Sequence, residues 1–173
     1  MKPFALVAVA AGLLLTGCTP IVALQPAEDA VNVGCAEMVV TLPDLVGGRY
    51  ADQLERETNA QGTGAYGDPT TVLVRCGVTP PAPTSELPCV RVDGIDWLRD
   101  DAADPRIVFT TYGREPAVQV TLDNKNATPG VVLSDLSGAV GRTTAVRECT
   151  SVTNELGDDT TTPTTTPTPT LTP

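Results

Sequence analysis

Leu15-Thr16-Gly17-Cys18 has the residue types and order of a lipidation site in an exported protein. The Cys18 thiol is the group that would form a thioether with a diacylglycerol, and small Thr16 and Gly17 fit a peptidase cutting just before it. Met1-Lys2 and the apolar run from Phe4 to Leu15 supply the cationic start and short apolar segment of an export signal. A spanning helix needs roughly 20 apolar residues, more than this run provides. The mature chain is therefore expected to begin at an acylated Cys18 carrying chains such as palmitate, held at the extracytoplasmic face of the cell membrane. One chain alone gives only marginal binding, so two or three acyl chains are what make such an anchor firm.

Four further cysteines, Cys35, Cys76, Cys89 and Cys149, form an even set, which in an exported domain reads as two disulfides. Spacing leaves three pairings open. Cys76 and Cys89 flank a proline-rich excursion, and Cys35 and Cys149 lie near the ends of the folded region; those two pairings are the expected ones. A zinc site is disfavoured, with no histidine and no Cys-x-x-Cys.

The lack of histidine also removes Ser-His-Asp and Cys-His chemistry and imidazole acid-base catalysis. Carboxylates remain: Asp93, Asp96, Asp100, Asp101 and Asp104 crowd around Trp97. Two of them across a groove would suit a wall-polymer hydrolase, and Asp93, Asp96 and Asp100 together would suit calcium. The spacing matches no regular calcium loop, and a solvated acidic loop is the expected reading. Tyr66, Trp97 and Arg114 are the candidate ligand contacts: an aromatic between glycine-rich turns, a lone indole, and a guanidinium able to pair a carboxylate or phosphate. For each there is a plainer alternative, a packed ring or an arginine bonded to a carbonyl or nearby acid. No cofactor is expected.

The segments that must position these residues follow from composition and period. Residues 1–17 form the signal, 18–32 the lipidated cysteine and a flexible tether, 33–156 one domain, and 157–173 a disordered Thr/Pro-rich tail suited to glycosylation. In the domain, Cys35 to Leu42 reads as a short helix ended by Pro43 or as a strand, the spacing of Met38, Val39 and Leu42 favouring the helix, and Val131 to Val140 reads as a helix with an apolar stripe. Asn59 to Gly67 reads as a loop. Thr70–Arg75 and Cys89–Val92 read as strands of a hairpin stapled by Cys76 and Cys89. Ile107–Tyr112 and Ala117–Leu122 form a second hairpin about Gly113-Arg114-Glu115-Pro116, with Val118, Val120 and Leu122 on one face. The expected fold is α+β: a small four-stranded antiparallel sheet with short helices on one face and two disulfides.

Several motifs in this order, Leu42-Pro43, Gly64-Ala65-Tyr66-Gly67-Asp68-Pro69, Val74-Arg75-Cys76-Gly77-Val78, Asp93-Gly94-Ile95-Asp96-Trp97 and Thr110-Thr111-Tyr112-Gly113-Arg114, resemble an actinobacterial family of exported proteins, domain-of-unknown-function family 3515. Tryptophan often stands in that family where this chain has Tyr66. The resemblance implies an envelope address and supplies no catalytic residue.

The chain carries 11 basic and 21 acidic residues, for a net charge of −10. Such a surface repels phosphate backbones and anionic head groups, so neither nucleic acid binding nor electrostatic membrane docking is expected. The expected function is that of a non-enzymatic, lipid-anchored binding or scaffold domain in envelope maintenance, meeting the membrane through Cys18 and an envelope protein or cell-wall component through its domain. The alternatives are a small-molecule or ion-binding accessory lipoprotein and, more weakly, a carboxylate-dependent wall hydrolase.

Overall fold

Regular alternation of buried and half-exposed residues marks the centre of a broad sheet. The computed structural model describes residues 20–84 and 86–152; the expected signal, Cys18 and the Thr/Pro-rich tail lie outside them. In chain order the elements are α1 (Val33–Val39), β1 (Leu45–Val46), β2 (Gln53–Arg56), β3 (Thr63–Tyr66), β4 (Val72–Val78), β5 (Cys89–Val92), β6 (Ile95–Ala103), β7 (Arg106–Thr111), β8 (Arg114–Glu115), β9 (Ala117–Asp123), α2 (Pro129–Val140) and β10 (Thr144–Ala145).

Eight strands form one antiparallel sheet in the order β1-β2-β3-β4-β9-β7-β6-β5, and β8 pairs with β10 apart from it. The sheet is thus twice as wide as the four strands expected. Side chains alternate across the pleat, so register assigns each to a face. Val72, Val74 and Cys76 on β4 stand beside Leu122, Val120 and Val118 on β9, and all six are buried. Phe109 and Trp97 continue this face and α1 and α2 complete the core with Met38, Val132, Leu133 and Leu136. β1 and β5, the two outermost strands, both contact α2, so the sheet curls about that helix. Right-handed strand twist is what lets a sheet of this width curl.

The helices have local causes. Asn32 caps α1 by accepting the Gly34 N–H at 2.9 Å, and its buried face carries Cys35 and Met38. Pro129 opens α2, where its missing N–H costs nothing, and the apolar stripe runs on to Val140.

Two further expectations are corrected. The strands containing Cys76 and Cys89 are not a hairpin: β9, β7 and β6 stand between β4 and β5. Those three intervening strands put β4 and β5 about 19 Å apart at ~4.8 Å per step, well beyond what a disulfide bridges. The disulfides are instead Cys35–Cys76, tying α1 to β4 with Cα atoms 5.4 Å apart, and Cys89–Cys149, tying β5 to the C-terminal segment at 6.6 Å. The hairpin partner of β5 is β6, joined by Asp93 (φ 47°) and Gly94 (φ 77°). Paired left-handed residues are what a two-residue turn matching strand twist requires.

The described part of the tether, 20–32, does not hang free. Val22 donates to Glu57 O at 2.9 Å, Leu24 N–H reaches Asn59 Oδ1 at 2.7 Å, and Asp29 N–H reaches Gly77 O at 3.0 Å. Extended backbone beside strands with unpaired groups satisfies its donors there rather than in water.

Candidate functional site

The helices cover one face of the sheet; the other, outer face is half exposed. Arg75, Gln119 and Thr110 lie in register across its centre, with Leu73, Thr121 and Val108 in the next row. Toward β5 this face continues through Leu98 to Cys89, and through Tyr112 and Asp96 to Arg91.

Above that end two chain segments rise from the sheet. The proline-bearing connection 79–88 runs from β4 to β5, and the segment after β10 returns along the β7–β9 turn, where Val146 N–H donates to Gly113 O at 2.7 Å. Gly113 has φ 70°, and a Cβ there would lie 2.1 Å from Arg147 O, so only glycine admits that close passage. Between the two segments opens a cleft of about 550 Å³, lined by Pro83, Thr84, Leu87, Pro88, Cys89, Leu98, Tyr112, Cys149, Thr150 and Ser151. Its surfaces are prolines, leucines and a disulfide, with hydroxyls from Tyr112, Thr84, Thr150 and Ser151. Such a surface takes an apolar group and orients it with a few hydrogen bonds.

Asp96 fastens the C-terminal wall. It is 4% exposed, accepts a forked pair of bonds from Arg91 at 2.5 and 2.8 Å, and accepts the Cys149 N–H at 2.7 Å. Arg91 also reaches Glu148 at 3.2 Å. Burial opposes the charged carboxylate, but the bonds from Arg91 and Cys149, with the charges of Arg91 and Arg114, outweigh it and hold the carboxyl below its usual range. Cys89 and Cys149 sulfurs lie near this carboxylate, yet they are bonded to each other and offer no thiolate to a metal.

A family model matches residues 4–149, a span that holds both described helices and both disulfides. The chain belongs to DUF3515, a family of proteins of unknown function. No curated protein and no solved structure matches it. The motifs that carried the resemblance fall at structural junctions of this DUF3515 domain: β3 and its turn, the bulge at Cys76 and Val78, the Asp93-Gly94 turn, and the end of β7.

The three candidate contacts named from sequence are not brought together. Tyr66 and Trp97 are each 0% exposed and belong to the core cluster. Their hydroxyl and indole N–H have no hydrogen-bond partner among the described residues, each costing about 1–3 kcal/mol. Burial first, then the charges of Glu55 and Asp44, push the Tyr66 hydroxyl far above its ordinary pKa. Arg114 is half-buried and donates to Thr143 O at 2.7 Å, so it ties β8 to the segment after α2; burial lowers its pKa against the opposing pull of Asp96.

Nor do the five aspartates converge. Asp93 accepts the Ser134 hydroxyl, Asp101 pairs with Arg99 at 2.9 Å, and Asp100 accepts the Ala102 N–H at 2.9 Å. Asp96 and Asp100 are four residues apart on β6, about 13 Å along a strand and too far to share one calcium. Most of the region read as an acidic loop is strand. Sequence reasoning missed Tyr112, Leu98 and the 79–88 wall, whose one local signal was a proline-rich stretch between two cysteines.

Proposed function

We propose that this DUF3515 protein is a lipid-anchored, extracytoplasmic binding protein that acts without catalysis and holds an apolar group of an envelope component in the cleft beside Tyr112. The observation that carries the reading is the cleft itself: about 550 Å³ on the face the helices leave uncovered, walled by two segments that a disulfide, an ion pair and a turn contact hold in place. The Leu15-Thr16-Gly17-Cys18 motif supports the anchor, and the absence of histidine from the chain disfavours the commonest hydrolytic machinery.

A second reading, a small-molecule accessory lipoprotein, is favoured by the same volume, which lies within the ~300–1,000 Å³ of small-ligand sites. One experiment addresses both. Thermal unfolding is followed with envelope extracts and with a panel of apolar and amphipathic compounds, since a ligand of the native state raises the midpoint by mass action. The reading expects a rise that Tyr112→Ala abolishes. A flat response to every addition, or an equal rise in the variant, contradicts it.

A further inference from the structure

The anchoring proposed above has a geometric consequence at the opposite edge of the outer face. Pro20 O accepts a bond from Arg56 Nη2 at 2.9 Å, Arg56 Nη1 bonds Gly67 O at 3.0 Å, and Val22 forms a parallel bridge to Thr58. The N-terminal segment is therefore fixed to β2 and its continuation from Pro20 onward. Cys18 precedes Pro20 by two residues, which span at most about 7 Å of chain. A lipid at Cys18 would enter the bilayer within that reach of β2, with no long spacer between.

Exposed apolar side chains lie along that edge. Leu45 and Leu54 are direct cross-strand partners on the outer face and are 45% and 66% exposed. Tyr50, in the connection between β1 and β2, is 83% exposed, and Ile21 beside the fixed Pro20 is 58% exposed. Aliphatic side chains with one amphipathic ring suit the boundary between head groups and acyl chains. Asp44, Asp52 and Glu55 lie on the same edge, so charge would not draw it to an anionic leaflet. We infer that the mature protein sits directly on the membrane, with the β1–β2 edge, carrying Leu45, Tyr50, Leu54 and Ile21, against the lipid surface. The cleft beside Tyr112, toward the other margin of the sheet, is then turned away from the lipid that the anchor enters.

The inference rests on the anchor reading, and the test separates the two. The full acylated chain is placed in phosphatidylcholine vesicles whose acyl chains are brominated, with a fluorophore on Tyr50→Cys, Leu54→Cys or, as the distant control, Glu86→Cys. All three positions are exposed. Lipid bromine quenches the first two labels and leaves the third bright. Mass spectrometry of the N-terminal peptide is read on the same sample. An acylated Cys18 with equal quenching, or none, at all three positions overturns the membrane-facing edge while leaving the anchor. An unmodified Cys18 in protein made by its native export route overturns the anchor and the inference with it.

Discussion

Replacing Asp96 with asparagine tests the account of how the C-terminal wall is held. The carboxylate accepts two bonds from Arg91 and one from the Cys149 N–H, and its own side chain is 3% exposed. Hydrogen bonds to a charged group contribute about 1.5–3 kcal/mol each. Arg91, however, is 39% exposed, so solvent screening removes most of what the ion pair itself would contribute. The shielded bond to Cys149 keeps its worth, and an amide can present only one oxygen to these donors. Asp96→Asn is therefore expected to cost about 2–3 kcal/mol, which for a domain of this size lowers the unfolding midpoint by about 8–12 °C.

The pH dependence follows from the direction of the shift. A carboxyl held below its unfolded pKa contributes stability that is fully present above about pH 4 and is lost as the pH falls through the folded value. The gap between wild type and Asp96→Asn is thus widest near neutrality and narrows below about pH 4. Asp123, lowered chiefly by the Lys125 N–H, acts in the same direction, and Glu55, raised by burial and Asp44, acts in the opposite one. Both are common to the two proteins and cancel in the difference. The assay is thermal unfolding by circular dichroism across that range. Equal midpoints near pH 7, or a gap unchanged in acid, would refute the reasoning.

Peptide mapping without reduction is expected to yield the linked pairs Cys35–Cys76 and Cys89–Cys149, and a Cys76–Cys89 peptide would contradict the sheet order. The bonds close loops of 41 and 60 residues, so removing either by paired serines is expected to cost about 4 kcal/mol in chemical denaturation. Leu136→Ala, at a wholly buried site on α2, is expected to cost about 2–5 kcal/mol; Val131→Ala, on the exposed side of the same helix, is expected to stay within about 0.5 kcal/mol. Trp97, the only tryptophan, is wholly buried, so its emission is expected to be blue-shifted and resistant to acrylamide; ready quenching would return it to the ligand-facing role.

Parts of this architecture were legible because their causes are local. The alternation of Val118, Val120 and Leu122, the stripe of α2 and the stop at Pro43 depend only on neighbours in the chain, and the structure places these elements within two or three residues of expectation. β3 was hidden because it is small and glycine-bearing: Gly64 leaves room for Leu42, whose side chain would lie 2.6 Å from a Cβ there. β6 was hidden because its aspartates read as a loop, although Asp93-Gly94 is a strong local hairpin signal. The strand order and the disulfide partners depend on contacts between residues far apart in sequence, on which spacing is silent. For the site, chemical distinctiveness misled: the lone indole of Trp97 and the glycine-flanked ring of Tyr66 lie in the core, while the cleft gathers prolines, leucines and Tyr112 from distant segments.

The central claim, that the outer-face cleft binds an envelope component, is tested most directly by photocrosslinking in living cells. A photoreactive residue is placed at Tyr112 or Leu87 in the cleft, and at exposed Arg142 as a control. The account predicts one discrete adduct from both cleft positions, not seen from Arg142 and lost when Leu98→Glu closes the site to apolar groups. Identical adducts from all three positions, or none from the cleft in a folded, membrane-bound protein, would contradict it.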